Sequence, residues 1–303
     1  MEGVRRFFDS DIFYSFKHSP LTIIAAIVLL GYLVAALFAV QVAPHNPFDL
    51  KTLNLNDAFT PPEFTGRGNP IYPLGTDDQG RDVLSAIIFG LRMSLVIGLC
   101  ATVLAMLVGV TLGLISGYAG GRVDAFIMRV ADIQLSFPAI LIALLIDGLA
   151  RVALPTRLHD QLAVYVLIFA IAAAGWVNYA RTVRGSTLVE RNKEYVQAAR
   201  VIGRHPLAIM FAHVLPNVLG PVLVIATLQI GAAIITESSL SFLGVGVPPT
   251  QPSLGTLVRV GNDFIMSGEW WIVFFPGVAL VFLVLAINVL GDWLRDALNP
   301  RLR

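Results

Sequence analysis

Apolar residues run in long unbroken blocks along this chain, and polar residues are confined to the intervals between them. Six blocks predict membrane-spanning helices: Leu21–Val42, Ile87–Ser116, Ala125–Leu149, Leu162–Ala180, Val218–Leu240 and Trp271–Leu290. Each is near the roughly 20 helical residues needed to cross about 30 Å of hydrocarbon. Barrel strands would be about 10 residues long and strictly alternating, and these blocks are neither. The pattern predicts an all-α, multi-pass membrane protein with six transmembrane helices. The first block exceeds a signal-peptide core and no small-residue cleavage site follows it, so it reads as a retained span.

The intervals divide the chain. A tail, 1–20, precedes the first helix, 21–42; a long loop, 43–86, leads into a transmembrane core, 87–292; a second tail is 293–303. Lys and Arg concentrate in the tails and in the interval 181–217, which holds Arg181, Arg184, Arg191, Lys193, Arg200 and Arg204. The basic side of a membrane protein faces the cytoplasm, so both tails and this interval are expected inside, and 43–86 outside.

Composition strengthens this picture and removes others. Of 303 residues, 56% are hydrophobic and 14% charged, against about 25% charged in an ordinary soluble domain. The net charge of +1 lacks the basic excess of a nucleic-acid binder. Cys100 is the single cysteine; it cannot make an intrachain disulfide and reads as a small apolar packing residue. There is no HExxH spacing, no GxxxxGK[ST] phosphate cradle and no G-x-S-x-G elbow. The chain is expected to be non-catalytic, with no cofactor or metal of its own.

Local motifs refine the helices. In the loop, the stretch LGTDDQGRDVLS ends at the second block, where Asp77 or Asp78 is expected to cap the entering helix and a surface ion pair to form. Gly109, Gly113 and Gly117 recur every fourth residue, a face that admits close approach of another helix, from this chain or another. Arg129 and Asp132 are three apart and suited to pairing, and Pro138 is expected to loosen its helix. Gln134, Ser136, Asn178, Gln229 and Glu237 are the polar candidates for a translocation path; interhelical hydrogen bonding is their alternative role. No ladder of carboxylates suggests a proton relay. A self-sufficient secondary transporter would show inverted repeats and broken helices meeting at the midplane; no repeat is evident.

The interval 181–217 is longer than a passive connector between neighbouring helices needs to be. Within it Tyr195, Ala198, Ala199 and Ile202 fall on one helical stripe, and Gly203 ends or bends that helix before Pro206. Small residues on an exposed stripe suit docking to another protein; contact with lipid headgroups is the other reading.

The pattern Gln197-Ala198-Ala199, three residues, Gly203, nine residues, His213-Val214-Leu215-Pro216 resembles the EAA loop of bacterial ATP-binding-cassette importer permeases. Gln197 stands where that motif carries glutamate, and His213 where isoleucine is frequent. Gln197 keeps hydrogen-bonding capacity without the charge, which leaves an ion pair at this position open. LGTDDQGRDVLS, SGYAGGRVDAFIMRVADIQLSFP, SLSFLGVGVPPTQPSLG and NVLGDWLRDALNPRL are similar to the dipeptide/oligopeptide branch of that family, on the side of its second permease subunit. The resemblance runs from about Pro20 to Arg303. It implies a permease in the bacterial cytoplasmic membrane that pairs with a homologous permease subunit. Two ATPase subunits, which bind ATP and Mg, would dock from below, one on Tyr195, Gln197, Ala198, Ala199, Ile202 and Gly203. An extracytoplasmic binding protein would deliver substrate to 43–86 and Ser241–Gly268. Peptide is the expected substrate; family relatives also import nickel, glutathione or another small solute.

Overall fold

A computed structural model describes residues 11–49, 53–248 and 250–297. Among these there is no β-strand, and one isolated bridge joins Thr76 and Asp82. A short helix α1 (Asp11–Lys17) leads to α2 (Pro20–Leu37) and the single turn α3 (Ala39–Val42). The long helix α4 (Val83–Ala119) follows the loop. Two helices, α5 (Gly121–Leu135) and α6 (Ala139–Ala153), precede a second long one, α7 (Thr156–Glu190). Next come α8 (Glu194–Val201), the turn α9 (Pro206–Ile209), a π-helical turn at Met210–Val214, and α10 (Leu215–Phe242). The last elements are α11 (Leu254–Phe264) and α12 (Trp271–Ala297).

The centre of the bundle is the contact between α4 and α7, and the glycines of α4 cause it. A methyl group on Gly109 would lie 2.4 Å from the Trp176 carbonyl oxygen, and one on Gly113 would lie 2.4 Å from that of Ala180. At Gly117 it would meet the Thr187 Cβ at 2.7 Å. No side chain but hydrogen fits there, so the backbones touch. The glycine face therefore serves packing within this chain. The residue numbers rise together along both helices, so α4 and α7 run parallel.

Parallel packing decides the path between them. The start of α5 lies at the far end of α7, where Arg184 makes a bidentate pair with Asp124 at 2.5 and 2.6 Å. The end of α6 lies at the near end, where His159 meets the Leu154 carbonyl at 2.9 Å. The pair α5–α6 thus carries the chain across as one span, but a broken one: the two helices meet at 95°. The span expected at Ala125–Leu149, with its helix loosened at Pro138, is therefore two helices and not one. Pro138 supplies no N–H and disfavours helical geometry at Phe137, so the ladder stops at Ser136. Among the described residues, five other helices are long and apolar enough to cross a membrane.

Two helices extend beyond their apolar blocks. α4 has 37 residues and α7 has 35, or roughly 50–55 Å each at 1.5 Å per residue, against about 30 Å of hydrocarbon. The apolar block of α7 does stop near Ala180, as expected, but the helix continues through Arg181, Arg184 and Glu190. The first third of the interval 181–217 is therefore a helical stalk. Asp132 pairs with Arg181 on this stalk, not with Arg129.

At the opposite end residues 43–49 and 53–82 of the loop pack down as an ordered cap. Asp82, not Asp77 or Asp78, caps α4, accepting from the Ser85 N–H at 2.9 Å. Asp77 instead binds Arg81 at 2.6 Å, and the pair is buried rather than on the surface. Its other oxygen accepts the backbone N–H groups of Gln79 and Arg81. The Trp271 indole donates to the Thr76 carbonyl at 3.0 Å, tying the loop to α12. The stretch Ser241–Gly268, expected as an exposed loop, contains α11, which buries Leu254, Thr256 and Leu257. Its Gly255 lies against the α10 backbone at Ser238, closer than any Cβ would allow. Cys100, expected as a packing residue, is exposed on α4.

Candidate functional site

The segment that follows the stalk is built from a few local rules. Lys193 opens α8 in extended conformation, Glu194 occupies the first turn and Arg200 the last, each opposite in sign to its end of the helix dipole. Gly203 stops the helix with φ +79°, a left-handed conformation that glycine adopts without a Cβ clash. The Arg204 N–H then closes onto the Ala199 carbonyl at 3.1 Å. Pro206 takes the first position of α9, where its missing N–H costs nothing.

The faces of α8 differ from the expected stripe. Val196 and Ala199 (7% exposed) turn inward and join Ile209, Met210 and Val214 in the core below α4 and α7. Ala199 is therefore an anchor of the helix and not part of its outer surface. The outward face carries Gln197, Ala198 and Gly203 together with Val201 (88% exposed) and Ile202 (80% exposed). Tyr195 lies at the edge. Gln197 makes one long contact, to the Arg191 carbonyl at 3.5 Å.

Polar clamps fix this segment to the ends of three long helices. Arg191 donates to the Gly117 carbonyl at 2.7 Å, meeting the orphan acceptors at the C-terminus of α4. Arg200 lies over the Tyr118 ring, 5.1 Å from its centroid. On the other side, the Tyr195 hydroxyl donates to Glu190 at 2.7 Å and accepts from Asn217 at 3.1 Å. Asn217 also donates to the His213 carbonyl at 2.7 Å. Lys193 completes the cluster on Glu190 at 2.9 Å. Partial burial and the bond to Glu190 push the Tyr195 phenol up to about 12. These contacts join α8 to the ends of α4, α7 and α10. Sequence reasoning missed the roles of Arg191, Tyr118 and Asn217, because their partners Gly117, Arg200 and Tyr195 are distant in the chain; that of Glu190 was missed although its partners Lys193 and Tyr195 are near, because they lie across the break between α7 and α8.

The five path candidates separate into two groups. Asn178 and Gln229 face one cleft of ≈ 130 Å³ between α4, α6, α7 and α10. Gln134 does not: its amide donates to the Ala173 carbonyl at 2.8 Å and accepts from the Trp176 indole at 2.8 Å, locking α5 to α7. Ser136 turns back onto the Asp132 carbonyl at the break. Glu237 is fully buried (0% exposed), so it is not part of an open path. It accepts from Ser94 at 3.0 Å and Ser241 at 2.7 Å, joining α4 to the end of α10. Ser253 extends this cluster to the start of α11 through Ser241 at 3.3 Å.

Comparison with known proteins places the same geometry in company. Residues 109–303 match the family described as binding-protein-dependent transport system inner membrane component. Residues 8–62 match the N-terminal TM domain of oligopeptide transport permease C. The di/tripeptide transport system permease protein DppC of Pseudomonas aeruginosa is 37% identical over 294 residues, which is 97% of this chain and 92% of that protein. The oligopeptide transport system permease protein OppC of Bacillus subtilis is 37% identical over 97% of this chain and 90% of its own length. Among solved structures, the inward-facing MetNI methionine ABC transporter aligns with a TM-score of 0.55 and 18% identity. That alignment covers 71% of this chain and 96% of the matched chain, a likeness of fold.

Proposed function

The chain belongs to the family of binding-protein-dependent transport system inner membrane components, and on that premise we propose that it forms half of a pore importing di- and oligopeptides into a bacterial cytoplasm. A homologous permease subunit supplies the other half. Separate ATPase subunits, which hold ATP and Mg, dock on the outward face of α8, and an extracytoplasmic binding protein presents the peptide at the ordered cap of residues 43–49 and 53–82. Both tails and α8 lie on the cytoplasmic side, in keeping with the Lys and Arg gathered there. This chain binds no nucleotide and catalyses no reaction.

The observation that carries the docking role is the pair Val201 and Ile202. Two large apolar side chains stand almost fully exposed on a short helix beyond the membrane-spanning blocks. Such a surface, rigidly clamped from behind, suits the cleft of another protein. When the ATPases close on ATP, α8 moves with them. The clamps at Gly117, Glu190 and Asn217 then transmit the displacement to α4, α7 and α10, which wall the cleft. Hydrolysis resets the arrangement.

The test is reconstitution with both permease subunits, both ATPase subunits and the binding protein in proteoliposomes. ATP-dependent uptake of labelled di- and tripeptides is expected, and Ile202→Asp is expected to abolish it and to release the ATPases on purification. Retained ATPase binding by Ile202→Asp with full uptake would overturn the docking role; uptake of nickel or another solute in place of peptides would overturn the substrate.

A further inference from the structure

A groove of ≈ 590 Å³ opens on the side of the bundle between α2, α4, α10 and α12, away from both α8 and the cleft of Asn178 and Gln229. Two stripes at helical spacing form its walls: Leu29, Leu33 and Leu37 on α2, and Arg92, Val96 and Leu99 on α4. α2 leads into the ordered cap and α4 leaves it, so Leu37 and Arg92 share the end of the groove beneath the cap. Ile230 and Ile287 line it further along, and Trp293, whose ring packs on Phe16 at 5.2 Å, lines the opposite end. The Thr227 hydroxyl in the same wall is turned to the Val224 carbonyl at 2.8 Å. Arg92 is the one charged residue lining the groove among the described residues. It is exposed, and it has neither an ion pair nor a hydrogen bond among those residues.

The neighbours of Arg92 fix its depth. Phe89, one turn before it, packs on Phe48 of the cap at 5.5 Å. The Ser94 hydroxyl, two residues after it, accepts from the Leu254 N–H at 3.2 Å and donates to Glu237 at 3.0 Å, near the end of α10. The guanidinium therefore stands at the cap-side boundary of the membrane-spanning part, the level of lipid headgroups, with apolar wall below it. An arginine facing hydrocarbon without an anion is costly. A cation at one end and hydrocarbon along the rest complement an amphiphile with its anion at the interface and its chain running inward. A second transmembrane helix does not seat in this space: ≈ 590 Å³ equals about 5–8 Å of a helix roughly 10–12 Å across. A single hydrocarbon chain is thin enough to run the length of the groove. We propose that the groove binds one anionic phospholipid, with its phosphate on Arg92 and an acyl chain between the stripes of α2 and α4. The lipid belongs to the leaflet on the side of the cap, the outer one in the orientation proposed above. The site needs only that these four helices span a membrane, and it is independent of the solute carried.

The experiment is native mass spectrometry of the complete transporter, stripped of lipid in detergent and titrated with phosphatidylglycerol or with phosphatidylcholine of the same chains. One cation at a lipid surface corresponds to about fivefold in affinity. Wild type is expected to bind one phosphatidylglycerol more tightly than phosphatidylcholine by that factor. Arg92→Gln is expected to erase the preference and Arg92→Lys to keep it. Leu33→Trp fills the groove, leaves the cation in place and is expected to lower occupancy by both lipids. Phosphatidylglycerol is expected to raise the melting temperature of wild type and Arg92→Lys, and not that of Arg92→Gln. A wild-type lipid preference in Arg92→Gln would assign the bound lipid to a non-specific annulus and overturn the site. Unchanged occupancy in Leu33→Trp would overturn it too, even where Arg92→Gln is unstable. Loss of the second permease subunit from Arg92→Gln, with no response of wild type to either lipid, would make the groove a subunit interface and likewise overturn the lipid site.

Discussion

The Tyr195 hydroxyl donates to the Glu190 carboxylate at 2.7 Å, and this bond joins the first turn of the short helix α8 to the last turn of the stalk. Through the same oxygen, Asn217 on α10 is drawn in at 3.1 Å. Three helices, α7, α8 and α10, therefore meet at one phenol.

Replacing that phenol tests the linkage. Tyr195→Phe keeps the ring and removes the bond, leaving Glu190 with Lys193. Faster amide exchange in α8 is expected, together with a loss of uptake coupling out of proportion to any fall in expression. A pH signature accompanies it. The phenol is raised above its unfolded value, so its contribution is complete below pH ~10 and is lost as pH rises through about 12. The wild type is expected to lose thermal stability on that alkaline limb, and Tyr195→Phe to lack this part of the decline.

The two faces of α8 are expected to respond oppositely to charge. Ile202→Asp changes an exposed residue and should alter the stability of the isolated permease by no more than about 0.5 kcal/mol. Ala199→Asp places a carboxylate in the core beside Ile209 and Val214, and is expected to cost several kcal/mol, read as loss of folded protein. Equal effects of the two substitutions on melting temperature would contradict this assignment of faces.

Packing at the centre of the bundle makes a sharper demand. A Cβ at Gly113 would sit 2.4 Å from the Ala180 carbonyl oxygen, so Gly113→Ala must push α4 from α7. A cost of roughly 1–3 kcal/mol is expected from overpacking, measurable as a fall in thermal unfolding temperature. Gly148, with open space around it, is the matched control, and Gly148→Ala is expected to be tolerated.

Glu237 gives a test of burial against charge. Its role is to accept from Ser94 and Ser241. Glu237→Gln retains an acceptor and is expected to support assembly and near-normal uptake. Glu237→Leu strands both hydroxyls, at about 1–3 kcal/mol for each buried group left unsatisfied, and is expected to loosen the junction of α4, α10 and α11. Proteolysis between α10 and α11 would report it.

The α10–α11 junction also shows where sequence reading stops. SLSFLGVGVPPTQPSLG reads as a loop because Pro and Gly punctuate it. Only packing against α10 and α12 reveals that Leu254–Phe264 is a helix folded back into the bundle. The same holds for Ala199 and Ala198. They are adjacent small residues with identical local propensity, and one faces inward solely because α9 and the π-helical turn lie beneath it. Gln134 and Asn178 are both polar groups within apolar blocks. Trp176 captures the first, while nothing captures the second.

What this sequence determined by itself was the membrane class and the position of its spans. Those follow from the length of apolar blocks, a property that the cost of exposing a backbone to lipid makes local. The short helix Glu194–Val201 and its terminating glycine were legible for the same reason, since each is written in a few neighbouring residues, and Pro138 marked where the third span loosens. Only the tertiary structure decided which faces touch. It set α4 parallel to α7, made the α5–α6 pair a bent crossing, placed Ala199 inside and Ile202 outside, and brought Asn178 and Gln229 to one cleft. Those outcomes depend on pairs of residues separated by tens of positions, and helical periodicity fixes an angle around each axis without fixing what lies opposite it.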